Sequence, residues 1–209
     1  MKYLRLALPI FIAMWLISVA GAQSVEDEAR ALIRDLITDP PVVIVEDDGQ
    51  AGTPAGPPGP HANYHVAPKL DPSSPEYKAK AEIIREKRRR EIQAKLVALG
   101  PAAAPTIGAA LGNKTLPYRQ YLAEALARIG DKRAVPYLID YLDEGLSKLR
   151  AAESLAKVGE TEQAETQRKE GVLILTAAVD SLRALTGQPF GNEPAYWRAW
   201  WEQNKYMYQ

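Results

Sequence analysis

A turn glycine recurs at a nearly constant interval along the second half of the chain. Gly100, Gly130, Gly159 and Gly187 are almost evenly spaced, and each follows a segment rich in aliphatic residues. A repeat of roughly 30 residues is typical of a solenoid, in which each unit buries its apolar face only by stacking on its neighbours. The interval therefore predicts an all-α fold, an α-solenoid of antiparallel helix pairs.

Prolines and apolar stripes place the helices between these turns. Pro101 and Pro105 open a first short helix, and residues 118–129 form its partner. In the next unit, residues 134–142 and residues 146–158 are predicted to form the corresponding pair. The inward positions of the two second helices match one another: Leu122, Leu126 and Ile129 in the first, and Ala151, Leu155 and Val158 in the next.

Two consecutive segments resemble the HEAT repeat, in the short variety found in bilin-lyase-type proteins. They read Gly130-Asp131-x-Arg133-Ala134-Val135-Pro136 and Arg150-Ala151-Ala152-x-x-Leu155-Ala156-x-Val158-Gly159. The resemblance covers roughly residues 92–187 and implies a right-handed α-solenoid. In that family a basic residue of the second helix and an acidic residue after the glycine often form a ladder. Arg119 and Asp131 match those places, and Lys148 and Glu160 hold them in the next unit.

Three of the four tryptophans lie close together near the end of the chain. Trp197, Trp200 and Trp201 occupy i, i+3 and i+4, which is one face of a predicted helix within residues 192–209. Such a face predicts a capping helix over the last repeat, because a solenoid must cover its apolar end. The tail resembles the closing segment of bacterial exported HEAT-repeat proteins. The alternative interpretation is that these rings form a platform on which a sugar stacks.

Residues 1–22 have the layout of an export signal. Lys2 and Arg5 precede an apolar run over residues 6–17, and Ala20-Gly21-Ala22 fits a small-x-small cleavage site. We therefore expect a mature chain that begins at Gln23, is periplasmic or extracellular, and keeps no stable membrane span. An uncleaved membrane anchor is the alternative. The absence of cysteine excludes a lipid anchor, disulfides and thiolate metal sites.

The remaining domain limits follow from composition. Residues 23–39 are predicted to form an N-terminal amphipathic helix, and residues 40–75 a linker that holds nine of the 16 prolines. Residues 76–191 form the predicted HEAT-like repeat domain, which begins with a long basic helix. Its charge allows two interpretations: attraction to the acidic residues before it, or a solvated face strengthened by ion pairs. A site for an anionic polymer is a further alternative.

Candidate residues for chemistry are few. His61 and His65 are the only histidines, and both lie in the predicted linker, where no third metal ligand is held near them. No cysteine nucleophile exists, and no glycine-rich phosphate loop follows a strand. We therefore predict no enzymatic activity, no metal and no cofactor. The near-neutral charge and the predicted export argue against nucleic acid as a partner.

The predicted function is that of an exported, non-catalytic scaffold that binds one or more unidentified proteins. The predicted partner-binding face lies on the outward side of the second helices, which usually lines the concave side of a solenoid. Its residues are two parallel Glu-to-basic pairs: Glu124, Arg128, Glu153 and Lys157. The alternative function is a polysaccharide- or anionic-polymer-binding module of the cell envelope that uses the tryptophan-rich tail or the basic helix.

Overall fold

The computed structural model describes residues 23–42, 44 and 70–208, and all regular elements within these residues are helical. The seven α-helices are α1 (residues 23–37), α2 (Pro75–Ala98), α3 (Ala104–Leu111), α4 (Arg119–Ile129), α5 (Val135–Lys157), α6 (Thr161–Thr186) and α7 (Pro194–Asn204). Short 3-10 helices span Gly100–Ala103, Lys132–Ala134 and Lys205–Met207. The prediction of an all-α chain is therefore confirmed over the described residues. The predicted signal sequence and both histidines lie outside them.

The chain divides into two compact units. One unit is Asp39–Arg89, and the other, here called the main unit, combines the chain up to Thr38 with the chain from Arg90 onward. Helix α2 contributes residues to both. The division therefore crosses the predicted limits of the linker and of the repeat domain.

Arg89 organises the described part of the 39–89 unit. Its side chain is only 3% exposed and donates two hydrogen bonds from Nη2 to the Asp39 carboxylate, at 3.1 and 3.0 Å. Its Nη1 donates to Glu82 Oε1 at 2.7 Å, and the Tyr77 hydroxyl donates to the carbonyl oxygen of Val42. One contact of the predicted kind, between an acidic residue that precedes the basic helix and the helix itself, is thus present within this unit.

The core of the main unit contains α1 as well as the repeat helices. Ala29 and Leu36 are fully buried, and they join the same apolar cluster as Leu96, Ile107 and Leu122. A helix of this length is marginal alone in water, so its stability comes from this packing. The N-terminal helix therefore docks on the main unit of its own chain.

The four turn glycines have the conformation that their positions predict. Gly100, Gly130, Gly159 and Gly187 have φ values of 69°, 80°, 86° and 73°. The left-handed region costs a side chain energy that glycine avoids, which is why glycine is favoured just after a helix end. At Gly130 and Gly187 the backbone N–H donates to the carbonyl four residues earlier, at 3.3 and 2.8 Å. The predicted turn positions are confirmed.

The helix pair predicted between Gly130 and Gly159 is wrong. Residues 134–142 and 146–158 belong to one continuous helix, α5, and the next interval is also filled by one helix, α6. No proline or left-handed glycine interrupts residues 143–145, so nothing breaks the α5 hydrogen-bond ladder. The second half of α5 consequently leaves the core: Val158, predicted to face inward, is 74% exposed, and Ala151 is exposed as well.

Two glycines allow α5 and α6 to approach closely where they cross. A Cβ atom added to Gly145 would lie 3.1 Å from the backbone nitrogen of Leu175 and 3.2 Å from the carbonyl oxygen of Gly171. A Cβ atom added to Gly171 would in turn lie 3.1 Å from the carbonyl oxygen of Gly145. The two backbones are therefore in direct contact, and neither position has room for a side chain.

We expect Gly145→Val to lower the free energy of unfolding by about 1–3 kcal/mol, because the added methyl groups must push the α6 backbone away. Urea denaturation followed by circular dichroism measures the change. Gly112→Val is the control, because a Cβ atom there meets only ordinary contacts, at 3.4 Å or more, and the residue already has a helical φ of −69°. Equal losses in the two variants would contradict a steric role for the crossing.

Candidate functional site

Three ion pairs connect successive long helices of the main unit, and we call them the ladder. The rungs are Arg90–Glu124 between α2 and α4, Arg119–Glu144 between α4 and α5, and Lys148–Glu170 between α5 and α6. Each rung joins a basic residue of one helix to an acidic residue of the helix that follows. The shortest N–O distances of the outer rungs are 2.5 Å and 2.6 Å.

A short sequence motif underlies the first two rungs. Tyr121-Leu-Ala-Glu124 and Tyr141-Leu-Asp-Glu144 each place a ring and a carboxylate three residues apart, which is one face of a helix. The guanidinium of Arg90 lies 4.9 Å from the centre of the Tyr121 ring, and that of Arg119 lies 5.0 Å from the Tyr141 ring. Each arginine thus contacts a ring and a carboxylate of the same motif.

The third rung keeps the spacing but replaces the ring. Gln167 stands three residues before Glu170, and Lys148 Nζ donates to Gln167 Oε1 at 3.4 Å and to Glu170 Oε2 at 2.6 Å. The lysine ammonium donates hydrogen bonds, and the amide oxygen of Gln167 is one acceptor for it. The sequence predicts a ladder that contains Arg119 and Lys148 but assigns them other acidic partners, although the repeated Tyr-Leu-x-Glu motif marks the glutamates of the first two rungs.

The middle rung is buried. Arg119 and Glu144 are 6% and 9% exposed. Arg119 Nη1 donates to Glu144 Oε2 at 2.9 Å and to the carbonyl oxygen of Leu111 at 3.0 Å, and Nη2 donates to Glu144 Oε1. Burial alone lowers the pKa of Arg119, but the hydrogen bond and the charge of Glu144 raise it above its usual value. The two side chains are therefore held in a bidentate contact.

The ring beside this rung shares its low-dielectric surroundings. Burial raises the pKa of Tyr141 to about 12, and the positive charge of Arg119 only partly opposes that effect. The tyrosine is therefore neutral at any physiological pH. This environment suits structural support rather than proton transfer near neutral pH.

The first rung is held by a buried amide. Gln93 is 1% exposed, and its Nε2 donates to the carbonyl oxygen of Tyr121 at 3.0 Å and to Glu124 Oε2 at 2.9 Å. Glu124 is thereby fixed by two side chains of α2, Arg90 and Gln93. The orientation of the Glu124 carboxylate is therefore fixed within the fold.

Two hollows open on the side of the main unit that carries the ladder, and Leu173 lies between them. One hollow, of about 260 Å³, is lined by Arg119, Tyr141, Lys148 and Glu170, and the other, of about 380 Å³, by Arg90, Tyr121, Glu124 and Asp180. Leu173 lines both and is 50% exposed. We call this surface the ladder face. It offers an apolar contact point surrounded by fixed charges.

The ladder face contains one of the four predicted partner-binding residues. Glu124 lies there, but its ion pair is with Arg90 and not with Arg128, the predicted partner. Arg128, Glu153 and Lys157 are exposed and do not line either hollow. Arg128 and Lys157 lie in the last turns of α4 and α5, and Glu153 lies on the half of α5 that leaves the core.

Arg119 and Asp131, the predicted ladder pair, have different partners. Asp131 accepts hydrogen bonds from the backbone N–H and from Nε of Arg133, both at 3.0 Å. These bonds lower its pKa below the usual range. Asp131 caps the 3-10 helix Lys132–Ala134, so its carboxylate is used locally. Glu160 likewise accepts from the nearby Gln163, at 3.3 Å.

The predicted tryptophan platform is only partly accessible. Trp197 is fully buried; its Nε1 donates to the carbonyl oxygen of Gly191 at 2.8 Å, and its ring meets Phe190 edge-on at 5.0 Å. Trp200 and Trp201 are partly buried against the core. Trp197 cannot stack on a sugar in this fold, because the face that the spacing defines is turned inward.

Neither metal nor membrane contacts are indicated by the described residues. Among them, no group of three or more His, Asp or Glu side chains is placed to hold a metal ion. No single helix in this part of the chain is long and apolar enough to cross a membrane; only α2 taken together with residues 100–111, as a bent pair, meets the length and composition test.

A family model of the PBS lyase HEAT-like repeat matches residues 118–144. The protein contains a HEAT-like repeat. The matched residues run from the turn before α4 to the middle of α5, and the Arg119–Glu144 rung joins the two ends of this repeat. The predicted resemblance is thus confirmed for this segment. Neither the curated proteins nor the solved structures gave a match to the chain.

Proposed function

We propose that this protein is an exported, non-catalytic HEAT-like scaffold that binds another protein through the ladder face. The observation that carries the proposal is the position of Leu173. This large apolar side chain is half exposed between two hollows, on a surface whose charged residues are fixed by contacts between helices. An apolar centre with a polar rim is typical of protein–protein contacts.

The ladder supports this function because it reduces the cost of binding. Arg90, Glu124 and Lys148 already make hydrogen bonds within the main unit, so a partner need not immobilise them. Side chains that are ordered in advance lose less entropy when a complex forms. The same ion pairs link α2, α4, α5 and α6, so the face would meet its partner as one rigid surface.

Export and the remaining features of the architecture are part of the proposal. The basic, apolar and small-residue order of residues 1–22 supports an export signal. We further propose right-handed stacking of the helices and closure of the C-terminal end by α7. The buried Trp197 supports this closure, and so does the ion pair of Arg198 in α7 with Asp143 in α5.

The test is chemical crosslinking in the native cell envelope with the full chain and two matched variants. Leu173→Glu places a charge at the centre of the ladder face. Val158→Glu places the same charge at another exposed apolar residue of the main unit, one that is 74% exposed. We expect the wild type and Val158→Glu to give the same crosslinked protein, and Leu173→Glu to lose it.

Equal crosslinking of all three proteins would overturn the proposed face, and so would a loss in both variants. Circular dichroism of each variant checks that the helical content is unchanged. The burial of Trp197 removes one of the three rings from the tryptophan-rich form of the polymer-binding alternative. The form that uses the basic helix stays a prediction.

A further inference from the structure

A large open groove lies between α1 and α3 of the main unit. Its volume is about 860 Å³. The α1 wall is formed by Gln23, Glu26, Arg30, Ile33, Arg34 and Ile37. The opposite wall is built mainly of small residues, among them Ala102, Pro105, Ala109 and Ala110. Small side chains let another helix approach closely.

The spacing of the α1 wall is that of a helix–helix contact. Gln23, Glu26, Arg30, Ile33 and Ile37 follow one another at intervals of three, four, three and four residues. This alternation places the five residues on one side of the helix, with the polar residues in its first half and the two isoleucines in its second. The other face of α1, which includes Ala29 and Leu36, is already buried in the core of the main unit. The groove side is thus a second contact surface of the same helix.

We propose that the groove binds the α1 helix of a second copy of this chain, in antiparallel orientation about a two-fold axis near Arg30. The charges of α1 carry this assignment, because they are self-complementary. Glu26 and Arg34 lie four residues on either side of Arg30. An antiparallel pair centred there places each Glu26 beside the Arg34 of the partner copy, twice in one interface.

The central arginines do not oppose this arrangement. Arg30 Nη2 contacts Glu26 Oε1 at 2.5 Å, and Nη1 lies 3.7 Å from Asp27 Oδ1. In the proposed pair, Glu26 is shared between Arg30 of its own helix and Arg34 of the partner copy, and Asp27 is a second carboxylate beside Arg30. Ile37 is partly exposed and supplies apolar surface along the same wall, whereas Ile33 also lines it but is 7% exposed and belongs to the core. The inference does not depend on the ladder face, which uses other helices.

The first test is the molar mass of the full chain by analytical ultracentrifugation over a range of concentrations. We expect a reversible dimer, and we expect Arg34→Glu and Glu26→Arg each to weaken it about tenfold or more, since each change brings two like-charge contacts into the interface. The double variant Glu26→Arg/Arg34→Glu restores opposite charges and is expected to regain dimerisation. Arg128→Glu, on an exposed arginine outside the groove, is the control.

The second test uses the absence of cysteine from the chain, which makes a single introduced cysteine unambiguous. Arg30→Cys lies at the proposed axis, so mild oxidation is expected to link two copies covalently. Gln23→Cys lies seven residues away, which would separate the two copies of residue 23 by roughly 21 Å, and should not link them. A chain that remains monomeric, or a dimer that ignores the charge variants, overturns the inference. Crosslinking at Gln23→Cys but not at Arg30→Cys does the same.

Discussion

Glu144→Leu is expected to lower the free energy of unfolding by about 3–5 kcal/mol, because it leaves the Arg119 guanidinium buried without its carboxylate. Arg119 is 6% exposed, so the unpaired charge would remain largely withdrawn from water. The carbonyl of Leu111 still accepts one hydrogen bond from Nη1, but the second guanidinium nitrogen loses its acceptor. Urea denaturation monitored by circular dichroism gives the loss directly.

The double variant Arg119→Met/Glu144→Leu distinguishes a broken pair from a damaged core. Replacing both charges by apolar residues of similar volume removes the desolvation cost together with the attraction, so we expect most of the stability to return. Glu170→Gln is the control, because the Glu170 side chain of the third rung is 50% exposed and its ion pair is screened by water. A double variant as unstable as Glu144→Leu alone would contradict this account of the middle rung.

Trp197→Ala is expected to cost about 3–5 kcal/mol, the usual range when a large aromatic side chain is removed from a core. The ring is fully buried, so its removal leaves a cavity bordered by Phe190, and it also removes the donor to the Gly191 carbonyl. The far-ultraviolet circular dichroism transition in urea is the suitable measurement, since tryptophan fluorescence would change with the substitution itself.

Trp201→Ala provides the comparison for Trp197→Ala. Trp201 is partly buried and stacks against Tyr208 at a centroid distance of 6.4 Å. Removing its side chain therefore loses less buried apolar surface than removing that of Trp197. We expect a loss well below that of Trp197→Ala, on the order of 1 kcal/mol. Equal losses at the two positions would mean that α7 is held by its whole aromatic surface rather than by the one buried ring.

The turns could be predicted from the sequence, and the elements between them only in part. Gly130 and Gly159 are recognisable because the left-handed conformation at a helix end selects glycine locally. One helix fills the interval between them, and Gly145 within it has no left-handed conformation but meets Gly171 on α6. A glycine inside a helical stretch is compatible with both a break and a close crossing, so periodicity alone could not distinguish them.

The candidate site was harder to predict than the fold. The residue types of an interhelix ladder are visible in the sequence, but the choice of partner depends on how neighbouring helices are rotated. Asp131 has the right position for a rung, and its capping geometry directs it to Arg133 instead. Glu144 lies in the middle of the continuous helix α5 and is buried beside Arg119. The exposure of Leu173 has no local sequence signal at all.

The docking of α1 has a consequence for the order in which the chain folds. This helix is synthesised before the residues that bury it, and the whole segment Asp39–Arg89 separates it from the rest of the main unit. Closing so long a loop is slow compared with forming local helical contacts, so α1 must wait for the later helices before it has a surface to dock on. For the same reason, a protease cut between α1 and α2 would not by itself release α1, because packing alone would still hold the two fragments together.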